Sequence, residues 1–154
     1  MDERETIRYL LTNSRTVAVV GLSSNPRKDS YIVAHHLHRY GYTIVPINPT
    51  AQEILGRKAY PSLAALPAEL AAAVDLVVVF RPAEEVPAIV REALQHLPNL
   101  KGIWTQKNIV HPEAAELARS RGLAVVQDRC IRTQHLYLRF VAGAVPAETS
   151  ADGG

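Results

Sequence analysis

Thr16-Val-Ala-Val-Val-Gly-Leu-Ser-Ser-Asn-Pro-Arg-Lys-Asp-Ser30 is a short apolar run that ends in glycine and passes into a polar, turn-rich stretch. The run reads as a strand buried on both faces, because such a strand needs no polar alternation. Gly21 allows a tight turn at the strand's end. Beyond it, Ser23, Ser24 and Asn25 offer hydroxyl, amide and backbone donors, with Pro26 among them, and Arg27 and Lys28 add positive charge. A helix is expected next, over Tyr31 to Tyr40, with Asp29 or Ser30 as its cap and Gly41 as its stop. A donor-rich loop between a buried strand and a helix N-terminus suits a phosphate or pyrophosphate group. The stretch is neither a Walker A motif nor G-x-G-x-x-G.

Working outward, the pattern repeats. Asp2 to Asn13 carries Ile7, Leu10 and Leu11 at helical spacing. Tyr42 to Ile47 reads as a second strand, irregular at Pro46, which cannot donate to a ladder. A long Pro/Ala-rich connection, 51–73, follows, with a short helix expected near Ser62 to Ala65. Leu76-Val-Val-Val-Phe80 is the third strand and the clearest. Ala83 to His96 is a helix, with Pro87 tolerated only near its first turn. Gly102 to Thr105 is the fourth strand, Pro112 to Arg121 a helix closed by Gly122, Leu123 to Val126 the fifth strand, and Cys130 to Phe140 a last helix. Residues 1–140 are expected to form one domain and 141–154 a flexible tail.

Strands that alternate with helices predict a parallel sheet, since parallel neighbours need crossover connections. The expected fold is therefore α/β: a Rossmann-like doubly wound sheet of five strands with helices on both faces, in the order 3-2-1-4-5. Ligands of such sheets bind beyond the carboxyl ends of the strands, at the switch point, here expected between the first and fourth strands.

Composition narrows the function. The chain has 154 residues, of which 47% are hydrophobic and 21% charged, with a net charge of +2. That length fits one domain, able to bury about two-thirds of its unfolded surface without a disulfide or metal staple. The near-balance of charge gives no sign of a nucleic-acid or membrane-surface binder. There is one cysteine, Cys130, a polar N-terminus, and no apolar run long enough to span a bilayer. The expectation is a cytoplasmic protein.

At the other strand ends, Asn48-Pro49 stands where a dinucleotide enzyme places an acid for the ribose hydroxyls, and the next acid is Glu53. Arg81 and Pro82 follow the third strand. Arg81 either faces a ligand or pairs with Glu84 or Glu85. After the fourth strand come Thr105-Gln106-Lys107-Asn108. Trp104 within that strand either stacks on a ligand ring or packs in the core. Cys130 follows the fifth strand, with His135 five residues on. A nucleophilic role needs a lowered pKa and a base, which this spacing does not establish. His35, His36 and His38 match no metal-binding spacing.

These residues carry a resemblance. Val17 to Tyr31, Gly41 to Pro49, Ile54-Leu-Gly56 with Tyr60-Pro-Ser-Leu63, Asp75 to Arg81, Trp104-Thr-Gln106 and Asp128-Arg-Cys130 resemble, in order, the small stand-alone CoA-binding domain proteins. These are similar to the N-terminal, CoA-binding domain of the succinyl-CoA synthetase alpha subunit. The resemblance implies that Gly21, Ser23, Ser24, Asn25 and Pro26 line the CoA diphosphate and that Lys28 serves its phosphates. It implies that Asn48, Pro49, Phe80, Arg81 and Pro82 border the nucleotide, and that Trp104, Thr105 and Gln106 lie near the pantetheine. Two departures stand out: Asn108 where many relatives carry glycine, and Gln134 where they tend toward glutamate. The phosphohistidine and ATP-grasp domains of the ligases are absent from this sequence. The function expected is binding of coenzyme A or acyl-CoA without catalysis of its own, with a protein partner open and no resident metal. The alternative is an NAD(P)-dependent oxidoreductase or a CoA-transforming enzyme using Cys130.

Overall fold

The structure, a computed structural model, describes residues 1–143. Strands β1 (Thr16–Val20), β2 (Thr43–Ile47), β5 (Leu76–Val79), β6 (Gly102–Thr105) and β7 (Ala124–Val126) form one parallel sheet. The short strands β3 (Glu53–Ile54) and β4 (Arg57–Lys58) make a separate antiparallel hairpin. The helices are α1 (Glu3–Asn13), α2 (Asp29–Arg39), α3 (Ala68–Ala73), α4 (Val86–His96), α5 (Pro112–Ser120) and α6 (Ile131–Phe140).

Side chains alternate across the sheet, as the two-residue strand period requires. Ala18, Val20, Val77 and Val79 pack with α4 and α5, including Val90, Ala93, Ala114 and Ala118. Val17, Val19, Val78 and Trp104 pack on the other face with α1, α2 and α6, through Leu10, Leu37 and Ile131. Two helical layers thus enclose the sheet, as a doubly wound fold demands.

The sheet order is β2-β1-β5-β6-β7. Counted over the five sheet strands this is 2-1-3-4-5, which corrects the expected 3-2-1-4-5. The physical reason lies in two sequences. All four β5 residues are fully buried, and exposing each at a sheet edge would cost about 1.5–3 kcal/mol. β5 therefore sits inside, between β1 and β6. Pro46 lacks an amide proton, which suits an edge strand. β2 takes that edge, and its outer side meets the chain at Tyr60, whose N–H donates to Pro46 O at 3.0 Å. The switch point therefore falls between β1 and β5, not between the first and fourth strands.

Local chemistry explains most boundaries. Asp2 caps α1 in a reciprocal box with Glu5, with both hydrogen bonds present at 2.8 and 2.9 Å, satisfying orphan donors of the first turn. His111 caps α5 through Nδ1, which accepts from Ala114 N at 3.1 Å. Pro87 lies in the first turn of α4, where no amide is needed. The 51–73 connection holds more than its composition announces: the β3–β4 hairpin, a 3₁₀ turn at Leu63–Ala65 and α3. Leu55 and Gly56 turn the hairpin with φ of 57° and 70°, a conformation that a leucine seldom adopts. The expected tail begins at Val141, whose N–H still donates to Tyr137 O. Residues 144–154 lie outside the described residues. Among the described residues no helix is long and apolar enough to cross a membrane.

Candidate nucleotide-binding cleft

The carboxyl ends of β1 and β5 meet at Gly21. Gly21 has φ +89°, and a Cβ there would stand 2.6 Å from Phe80 O and 2.9 Å from Arg81 Cδ. Only glycine fits both the backbone turn and this approach. Phe80 N donates to Val20 O at 2.8 Å and Gly21 N to Ile47 O at 3.1 Å, tying the strand ends together.

From Gly21 the loop is built by its own polar side chains. Ser23 Oγ accepts from Asn25 N at 3.0 Å, Asn25 Oδ1 from Arg27 N at 3.0 Å, and Ser30 Oγ from Ser23 N at 2.9 Å. These are the side-chain turns that serine and asparagine favour. Ser23 and Asn25 thus shape the loop, while Ser24, Pro26 and Lys28 are exposed on it. Lys28 occupies the N-cap of α2, and its side chain makes no cap hydrogen bond. The first-turn N–H groups of α2 therefore lack a side-chain cap and, with the helix dipole, favour an anion.

Beside this N-terminus lies a cleft of ≈ 550 Å³. Its walls are Asp29, Ile32 and Val33 of α2, Phe80-Arg81-Pro82 after β5, Gln106, Lys107 and Ile109 after β6, and Cys130 and Arg132 at α6. It gathers four of the expected residues, Phe80, Arg81, Pro82 and Gln106, next to the loop that carries Gly21 to Lys28. Arg81 donates from Nε and Nη2 to the two carboxylate oxygens of Glu85 at 2.9 and 2.8 Å. The Glu85 hydrogen bond raises the Arg81 pKa and lowers that of Glu85.

Other expected residues stand elsewhere. Trp104 is fully buried, its Nε1 donating to Arg129 O at 2.7 Å. It pairs with Val78 and Val126, one register inside the sheet's end. The indole packs in the core cluster on the α1, α2 and α6 side of the sheet. Thr105 is 1% exposed; its Oγ1 donates to Ile109 O at 2.6 Å and braces the loop beyond β6. Asn48 is a clasp, with Nδ2 donating to Leu22 O at 2.9 Å and Oδ1 accepting from Thr50 N and Ala51 N at 2.8 Å. Pro49 is exposed beside it. No acid follows β2 at this point; Glu53 sits on the exposed side of the hairpin.

Gln106 Oε1 accepts from Ile131 N at 3.0 Å, fastening the cleft floor to the start of α6. Burial pushes the Cys130 thiol up, but hydrogen bonds from the Thr133 backbone and hydroxyl, the Arg132 backbone and the Gln106 amide outweigh it. The thiol therefore lies below its ordinary pKa, as a helix N-terminus favours. His135 is no base for it. His135 is 1% exposed, and its Nδ1 is 2.9 Å from His36 Nε2. Burial holds both imidazoles neutral, lowering His36 to about 3, with His135 adding to the effect, and His135 to about 4, with Arg139 adding. Among the described residues no His/Cys/Asp/Glu group fits a metal.

Ile32, Val33, Lys107, Ile109 and Arg132 were not singled out from the sequence. Ile32 and Val33 lie one turn into α2 from the loop, and Arg132 lies two residues past Cys130. Helical spacing from those two landmarks is the signal that reaches Ile32, Val33 and Arg132.

The fold and the cleft define a small Rossmann-type nucleotide-binding domain. A family model described as a CoA binding domain matches residues 15–135, and the chain belongs to that family. It is 36% identical over 129 residues to the uncharacterized protein YneT of Bacillus subtilis, covering 84% of this chain and 91% of that one. A solved structure from Pyrococcus horikoshii superimposes with a TM-score of 0.80 at 34% identity, over 88% of this chain and 92% of the other. The acetate–CoA ligase [ADP-forming] II subunit alpha of Pyrococcus furiosus is 28% identical over 130 residues, which span 77% of this chain but 27% of the ligase subunit.

Proposed function

We propose that the protein binds coenzyme A or an acyl-CoA in the cleft between α2, the β5 end and α6, and acts as a binding module that senses or presents it without chemistry of its own. The observation that carries this reading is the α2 N-terminus, lacking a side-chain cap and facing the ≈ 550 Å³ cleft at the β1/β5 switch point. The donors, the dipole and Lys28 suit a diphosphate. The apolar walls at Ile32, Val33, Phe80 and Ile109 suit an uncharged arm. Family membership supports CoA as the ligand. Presentation to a partner draws support from the matching segment's place within a longer acetate–CoA ligase subunit.

Cys130 favours a second reading, a CoA-transforming enzyme, because its thiol is shifted down and lines the cleft. Against it, His135 is spent on His36. An NAD(P) oxidoreductase draws less support, since Asn48 stands where the ribose acid belongs and is occupied by backbone contacts. Titration calorimetry of the reduced protein with CoA and NAD in parallel tests the proposal. Saturable CoA binding without an NAD response is the expected result. NAD binding alone overturns it.

A further inference from the structure

One cation of the cleft is already engaged. Arg81 holds Glu85 through a two-pronged fork, the geometry by which a guanidinium also holds phosphate. The stem of Arg81 passes close over Gly21, with Cδ 2.9 Å from the position a Cβ would take. The guanidinium therefore starts from the mouth of the phosphate-binding loop. Pro82 and the 3₁₀ turn Ala83–Glu85 set the four-residue spacing, with Glu85 N donating to Pro82 O at 2.9 Å. The side chains of the pair are 46% and 44% exposed, so water reaches both and exchange of partners meets little desolvation cost. Glu85 is also the N-cap residue of α4. A carboxylate released there still sits in the favourable field of a helix N-terminus.

We propose that Glu85 is an affinity-setting latch: its carboxylate occupies on Arg81 the place that a phosphate of the ligand takes, so that binding exchanges carboxylate for phosphate. The inference rests on the CoA reading and adds a residue that opposes binding. A charge held beside an anionic ligand and competing for its cation sets affinity below what the cleft otherwise reaches. It also favours ligands whose phosphate is able to displace it.

The test is calorimetry on the full chain with CoA, dephospho-CoA and pantetheine, for the native protein, Glu85→Gln and the double variant Arg81→Gln/Glu85→Gln. Glu85→Gln should bind CoA about two- to five-fold more tightly, the range that an exposed ion pair governs. The double variant should lose that gain, and pantetheine should show none. A gain for CoA alone assigns the 3′-phosphate to Arg81. An equal gain for dephospho-CoA assigns the diphosphate, and either supports the latch. Unchanged or weaker CoA binding by Glu85→Gln, beside a native protein that binds CoA, overturns the latch and leaves the CoA reading standing. A gain that extends equally to pantetheine also overturns it. A native protein that binds none of the three overturns both.

Discussion

At the amino end of the sheet, Asp75 accepts from Arg15 N at 2.7 Å and Thr16 N at 3.0 Å and pairs with Lys101 at 3.3 Å. At the carboxyl end, the N-terminus of α2 has no side-chain cap. Burial pushes the Asp75 carboxyl up, yet the two amides and the Lys101 ammonium outweigh this and hold it below the ordinary value. Nearby, Tyr42 OH donates to Leu11 O, and burial raises the phenol to about 12. Ser14 Oγ, buried and without a hydrogen-bond partner among the described residues, is an exception at this end. One end spends its polar groups on joining β1, β5 and α1. The other spends Ser23, Asn25 and Asn48 on shaping loops, and the N-cap residue of α2 caps no backbone donor with its side chain. A polar group used for folding is satisfied within the chain, whereas one held for a ligand is not. That difference supports the proposal that the ligand binds at the carboxyl end.

The sharpest way to break this comparison is Gly21→Ala. Left-handed strain and a Cβ pressed on Phe80 O should together cost about 3 kcal/mol. Ligand binding should fall by more than about tenfold, because the loop must shift. Urea unfolding and calorimetry read the two effects. A variant as stable as the native protein contradicts the close approach on which the site is built.

The histidine pair sharpens the structural side. His36 and His135 join α2 to α6, and both are neutral in the folded chain. Their pKa values are depressed, so their contribution is complete above the unfolded value near 6.5. It is lost as pH falls toward 4 and then 3, because the unfolded chain takes up protons first. Stability at pH 5.5 should be lower than at pH 7.5 by about 2 kcal/mol, measured by urea unfolding at the two values. A flat profile would mean that the pair is not buried as described.

Lys28→Ala probes the site without touching the core, since the side chain is exposed at the start of α2. CoA affinity should drop about three-fold, while pantetheine affinity stays unchanged, because a point charge serves phosphate and not the uncharged arm. Equal losses for both ligands remove Lys28 from the phosphate site.

The smallest effect belongs to Asn108→Gly. Asn108 has φ 70°, and its N–H donates to Asp128 Oδ1 at 2.6 Å, an acid that is itself left-handed at φ 61°. Relief of the side-chain penalty should raise stability by about 0.5 kcal/mol, visible as a small rise in Tm. A lower Tm would show that the asparagine side chain does more than tolerate the turn.

Much of this architecture was legible from residue runs. The strand Thr16–Val20, the glycine at 21 and the four apolar residues at 76–79 mark buried parallel strands by composition alone. Pro46 also bears on the sheet order, because a proline in mid-strand points to an edge; read only as an irregularity of the second strand, it leaves the order open. The β3–β4 hairpin escaped notice since Glu53-Ile54 and Arg57-Lys58 are too short to show alternation. In the site, the backbone loop and Phe80-Arg81-Pro82 follow from position after a strand. Whether Trp104 and Thr105 face a ligand or the core depends on register, and sequence does not state register. The Arg81–Glu85 fork was one of two alternatives until the geometry decided it.

Amide hydrogen exchange with and without CoA tests most directly the assignment of the carboxyl end as the binding end. The account predicts slowed exchange at residues 21–31 and 80–85 and near Gln106 and Cys130, with residues 13–16 and 40–43 unchanged. Protection confined to the amino end, around Asp75 and Tyr42, would contradict it.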